Sequence, residues 1–164
     1  MALVREVVAV LHNLLSSEQG ISQSWAAGSE AAESGVPRVA SDQISTNNIP
    51  ASLLSQQSAI RYPRFQVYCD RVENQMREKF NRFSGTAHLT IEIHHSGEKW
   101  EGVSSSLGLY IQSVTDVIES HRGELGDGMH LPGKYIVEVD SPKAGGRGFL
   151  QTARVRVPVE VIRP

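Results

Sequence analysis

His88, Glu92 and His94 all fall on even positions of a stretch in which apolar and polar residues alternate. In a strand such residues share one face, and two imidazoles with a carboxylate form a donor set that can hold zinc. The same pattern describes the solvated face of a half-exposed strand. The chain has no HExxH or CxxC spacing to favour the metal. Ser104, Ser105 and Ser106 supply hydroxyls at the start of a helical segment, but outside a G-x-S-x-G elbow they read as solvating first-turn serines. Cys69 falls on an apolar strand face, where a thiol usually behaves as a small inert side chain. Gly145, Gly146, Arg147 and Gly148 offer an anion cradle, yet lack the Lys–Ser/Thr of a phosphate loop; a flexible hairpin tip is the simpler reading. Arg154 and Arg156 share a strand face and suit either carboxylates across an interface or open solvent. No catalytic, metal or cofactor-binding residue is assigned.

The elements that must position these residues follow from periodicity. Residues 1–17 form an amphipathic helix, with Leu3, Val7, Val10, Leu11 and Leu14 at spacings of three and four. Phe65, Val67 and Cys69 begin a first strand; Ala87, Leu89, Ile91 and Ile93 mark a second, half-buried one. A hairpin over 72–85 joins them. A long helix from about Lys99 to His121 carries Val103, Leu107, Ile111, Val114 and Ile118 toward the sheet. Gly102 and Gly108 weaken that helix or admit a neighbouring backbone. Gly123, Gly126 and Gly128 end it in a loop. Tyr135, Val137 and Val139 form a third strand, and Ala153 to Val161 a fourth. Pro158 removes a ladder donor, so the fourth strand lies at an edge or leaves the sheet there. The expected fold is α+β: a mixed or antiparallel sheet of about four strands, packed by a long helix and an N-terminal helix in the order α-β-β-α-β-β.

One feature breaks this economy. Residues 18–62 are rich in Ser, Gln, Asn and Ala, with Gly28, Gly35, Pro37 and Pro50 as breakers. Connections in compact domains usually run about 4–6 residues. The segment reads as an extended arm of a single domain, between the 1–17 helix and a body over 63–164. Trp25 and the pair Leu53–Leu54 are its apolar exceptions, and Trp often anchors interfaces.

Apolar residues make up 40% of the chain, a shortfall that sits in this arm. Arg5 and Arg38 stand against Glu6, Glu18, Glu30, Glu33 and Asp42 in residues 1–60, a net of −3, which leaves +1 for the remainder and −2 overall. Neither part has the basic field of a protein that grips phosphates. One cysteine makes no internal disulfide and fits a reducing compartment. The N-terminus does not read as a signal peptide, and no apolar run is long enough to span a membrane.

The order of elements carries a resemblance. Arg64-Phe65-Gln66-Val67-Tyr68 opens the sheet beside Leu89-Thr90-Ile91-Glu92-Ile93. Leu109-Tyr110-Ile111 lies within the long helix, and Tyr135-Ile136-Val137-Glu138-Val139 pairs with Phe149 to Val157 at the close. In this pattern residues 62–161 resemble the tail-terminator and neck proteins of tailed bacteriophages. The arm over 18–62 departs from the shortest members. The resemblance implies a non-enzymatic virion protein without cofactor, made in the host cytoplasm. It implies a homo-oligomer, a six-fold ring that caps the tail tube and joins it to the head connector. Tail tube protein, the sheath of a contractile tail and the connector would be its partners, and genomic DNA would pass through the lumen without specific binding. Trp25, Leu53, Leu54, Arg147, Arg154 and Arg156 are then the candidate contact residues, and the 18–62 arm, the 72–85 hairpin and the 141–148 loop the candidate contacting parts. Deleting 20–60 is expected to stop assembly while the body still folds. Rival readings remain: a head-completion, stopper or other connector protein or a tube-like subunit, a small metal-dependent or hydrolytic enzyme using His88, Glu92 and His94, and a generic ligand-binding α/β domain without a pocket-forming signature.

Overall fold

The computed structural model describes residues 2–22, 24, 35–57, 59–75, 80 and 82–164. Its centre is one antiparallel pairing of two long strands, β3 (Phe83–Gly97) and β8 (Gly148–Arg163). They run in unbroken register from Phe83 opposite Arg163 to Gly97 opposite Phe149. β2 (Arg64–Asn74) pairs with the other edge of β3, with a bulge between Cys69 and Arg71. A two-residue strand β1 (Ile44–Ser45) adds to β2 in parallel.

The far edge of β8 is shared by three short strands. β7 (Lys143–Gly145) takes its start, β6 (Ile136–Val139) its middle and β5 (Met129–Leu131) its end. β4 (Gly123–Gly126) closes a hairpin onto β5. The glycines after the long helix therefore sit in and around a strand pair, not in a loop. Left-handed backbone at Gly126, Asp127 and Gly128 makes that tight turn possible.

Odd residues of β3 and β8 face two helices. Ala87, Leu89, Ile91 and Ile93 join Ala153, Val155, Val157 and Val159 in the main core. Helix α1 (Ala2–Ser16) contributes Val7, Val8, Leu11 and Leu15. α2 is a single turn, Ala51–Leu54. α3 (Trp100–Ser120) contributes Leu107, Tyr110, Val114, Val117 and Ile118. Tyr110 is the largest fully buried side chain, and its hydroxyl donates to the Pro37 carbonyl at 3.1 Å. A Cβ placed on Gly102 or Gly108 would meet nothing within 4 Å among the described residues, so within them no backbone approaches either glycine closely.

The α+β class and the α-β-β-α-β-β frame are present, extended by β1, β4, β5 and β7 and by α2. Pro158 differs from expectation. It sits opposite His88 in the interior of the sheet. β6 pairs with residues 153–156 and β5 with 160–161, so 157–159 have no partner on that side among the described residues. The Ile162 N–H points to that side, toward Gly128, and Pro158 shares its parity. The missing donor of Pro158 thus faces a stretch where, among the described residues, no strand pairs with β8.

The described parts of 18–62 do not project. Ile21, Val39, Ile44 and Leu54 are buried on their own chain. The Gln43 side chain accepts from the Ala40 N–H at 2.8 Å and donates to the Pro63 carbonyl at 2.7 Å, fastening the segment to the start of β2.

Candidate functional site

Even residues of β2, β3 and β8 form a second sheet face, and among the described residues no helix longer than one turn covers it. Its inner part is buried all the same, and it is polar: Gln66, Thr90, Glu92, His94, Ser96 and Thr152. Such groups persist away from water only when paired. The cross-strand register supplies the pairs, because Gln66 lies opposite Glu92, and His94 lies opposite Thr152.

The donors can be assigned. Ile49 N–H donates to Gln66 Oε1 at 2.7 Å, which fixes the orientation of the amide. Gln66 Nε2 therefore donates, to the Ile49 carbonyl at 2.9 Å and to His94 Nε2 at 2.9 Å. With Nε2 accepting, the proton of His94 is on Nδ1 and goes to Thr152 Oγ1 at 3.0 Å. His94 is a neutral imidazole. Burial pushes its pKa down to about 4, against the opposing pull of Glu92. Glu92 Oε1 lies 3.3 Å from His94 Nε2, but with the imidazole neutral this contact is no ion pair.

Glu92 is held from its other oxygen. Tyr68 Oη donates to Oε2 at 2.6 Å and Arg154 Nε lies 3.7 Å away. Burial and the hydrogen bond to Glu92 both push the Tyr68 phenol above its ordinary value. Arg154 also donates to Asp140 at 3.0 Å, and Arg156 pairs with Glu138 at 3.0 Å. Thr90 Oγ1 donates to Asp70. Beyond these residues the face opens into a groove of about 860 Å³ between Tyr68, Thr90, Arg154, Arg156, Tyr135 and Pro158.

The zinc set is not assembled. Both nitrogens of His94 are engaged, Glu92 is committed to Tyr68 and Arg154, and His88 lies 3.5 Å from Glu73. Among the described residues no group of three or more His, Cys, Asp or Glu could hold a metal ion. Ser104 donates to Gln151 at 2.9 Å and Ser105 back to Glu101, so neither hydroxyl is poised as a nucleophile. Burial raises the Cys69 thiol pKa.

The candidate contact residues separate. Trp25 lies outside the described residues. Leu53 is 51% exposed, whereas its neighbour Leu54 is 2% exposed and packs inward. Arg147 is exposed at the tip of the β7–β8 hairpin, with its N–H donating to Ser96 Oγ at 2.7 Å. Arg154 and Arg156 pair with Glu138 and Asp140, on and just after β6 of the same chain.

A further surface emerges on β6. All four of its residues are exposed, with Ile136 at 63%, Val137 at 37% and Val139 at 53%. One edge pairs with β8, and among the described residues no strand pairs with the other. Alternation alone identifies β6 as a strand but carries no sign that both faces are open.

No family model and no curated protein matches the chain. Among solved structures it is similar to a chain of the virion of a native gene transfer agent particle, with 9% identity over 87% of this chain and 91% of that chain and a TM-score of 0.41. A likeness at that level assigns neither family nor activity.

Proposed function

We propose that the chain is a structural assembly protein: a ring-forming tail-terminator or neck subunit of a tailed phage, joining tail tube to head connector. The observation that carries the assembly role is the open β6 edge. Three exposed aliphatic side chains on a strand with one edge unpaired among the described residues are a liability in a monomer and an asset in an oligomer. Few charges defend it, with Glu138 alone within the strand. A ring needs heterologous contacts that close, so one copy's β6 would meet a different surface of the next. The neck position comes from the resemblance in the order of elements. The polar face fits a structural part, since its buried groups are satisfied by one another instead of converging on a reactive atom.

The mechanism in this reading is geometric. The ring occupies the last tube surface, stops polymerisation there and offers its other face to the connector. Light scattering coupled to size exclusion, with and without tail tube protein, tests it. A species of about six subunits, alone or with tube, is expected. A monomer under both conditions overturns the terminator reading.

A further inference from the structure

Residues 46–57, including α2, form a strap, and the Gln66 side chain fastens it to the polar face at Ile49. Gln66 takes both the N–H and the carbonyl of Ile49, as a neighbouring strand would. The third bond of that amide goes to His94 Nε2. A fully buried imidazole thus sets the orientation of the clamp on the strap.

We propose that the His94–Gln66–Ile49 chain is a proton-operated latch: a proton on His94 Nε2 turns it toward Glu92 and releases the strap at Ile49. The argument is one of donors and acceptors. Protonated, Nε2 becomes a donor and faces the Gln66 amide group, which is also a donor. Gln66 can move away, which breaks the clamp. It can instead flip, which puts its amide hydrogens against the Ile49 N–H and breaks the clamp too. Glu92 Oε1, already 3.3 Å away, is ready to accept the new N–H. Both arrangements of His94 therefore have a partner, and only one of them holds the strap.

The groups facing His94 set where this happens. Glu92 on β3 and Asp140 beyond β6 favour the proton, while Arg154 on β8 and Lys143 on β7 oppose it. Tyr68 on β2 ties up the far oxygen of Glu92 and leaves Oε1 for the imidazole. Burial outweighs these charges, so the latch stays closed near neutral pH and opens in acid.

Release would uncover Leu54, which is buried outside the main core cluster. The rest of the sheet has its own core and would remain. The strap would therefore open before the protein unfolds.

Nuclear magnetic resonance of the intact chain tests this without a mutation. Imidazole nitrogen shifts should show the Nδ1–H tautomer of His94 at pH 7. On acidification the Ile49 amide should lose at least about tenfold in protection, corrected for intrinsic exchange, with the midpoint of the His94 titration. At every pH Ile49 should exchange faster than the amides of Leu89 and Val155, whose protection falls only as global stability falls. The Glu92→Gln variant should move both midpoints to lower pH together. Constant Ile49 protection through the His94 titration, an Nε2–H tautomer at pH 7, or Ile49 protection equal to that of Leu89 and Val155 throughout acidification would each overturn the latch.

Discussion

Glu92 is buried, and its carboxylate is shared between Tyr68 Oη at 2.6 Å and the Arg154 guanidinium at 3.7 Å. Removing either partner leaves a buried acceptor short of a donor. Tyr68→Phe deletes a hydrogen bond to a charged group and should cost roughly 1.5–3 kcal/mol in urea unfolding. Arg154→Met should cost about 3 kcal/mol or more, because the counter-charge goes as well. If both variants match the wild type within about 0.5 kcal/mol, the site is wetter than the geometry implies.

Stability should fall with acid well before the carboxylates titrate. His94 and His95 are both pushed down to about 4, in each case chiefly by burial, with Arg147 adding to the effect at His95. Above pH 6.5 the imidazoles are neutral in both folded and unfolded chains. Between 6.5 and 4 the unfolded chain takes protons that the folded one refuses, so stability is lost across that window. A drop of a few kcal/mol between pH 7 and pH 4.5 is expected in denaturant midpoints. A flat profile from pH 7 to 5 would mean that the two rings charge freely in the fold.

Two glycine substitutions should act in opposite directions. A Cβ at Gly85 would run into the Glu73 carbonyl across the β2–β3 ladder, where Gly85 pairs with Asn74. Gly85→Ala should destabilise by roughly 2 kcal/mol or more. Gly108 lies on the exposed side of α3 with open space around its Cβ position. Gly108→Ala should stabilise by about 0.5–1 kcal/mol, the ordinary helix preference. Thermal unfolding of the two variants side by side checks the pair; a destabilised Gly108→Ala would mark a close neighbour on that face.

These sites show what the sequence could and could not reveal. The long strands and α3 announce themselves because one face of each meets a continuous core, so period two and period 3.6 survive in the pattern. Tyr110 escapes that pattern because it reads as amphipathic, yet it is the fully buried centre of the α3 face. β4, β5 and β7 are three or four residues long, too short for any period, and β4 and β7 also contain glycine. The zinc reading of His88, Glu92 and His94 places all three on one face, as they are. What it lacks is Gln66, Thr152, Tyr68 and Arg154, which arrive from other strands and use up the lone pairs. Only the ladder register brings those partners in.

The β6 edge separates folding from assembly. Val137→Lys with Val139→Lys changes only exposed side chains, so monomer stability should move by no more than about 0.5 kcal/mol per site. If β6 is an interface, the same double variant should lose ring-sized species in light scattering while its circular dichroism stays that of the wild type. A ring that survives both lysines would place the subunit contact elsewhere.

The strap provides the sharpest contrast between adjacent residues. Leu53 and Leu54 read alike in the sequence, as apolar exceptions in a polar arm. In the fold Leu54 is 2% exposed and Leu53 is 51% exposed. Leu54→Ala should cost about 2–4 kcal/mol locally, seen as faster exchange over 51–57. Leu53→Ala should leave stability within about 0.5 kcal/mol and, if it touches a neighbour, weaken assembly alone. The same packing reverses the expectation for a deletion of residues 20–60. That cut removes Ile21, Val39, Ile44 and Leu54 from the buried set and takes β1 from the edge of β2. The shortened chain should therefore lose cooperative unfolding, so failed assembly in it would report a damaged fold. Point changes at Leu53 and at Val137 with Val139, which leave the core intact, are the cleaner probes of the contact surfaces.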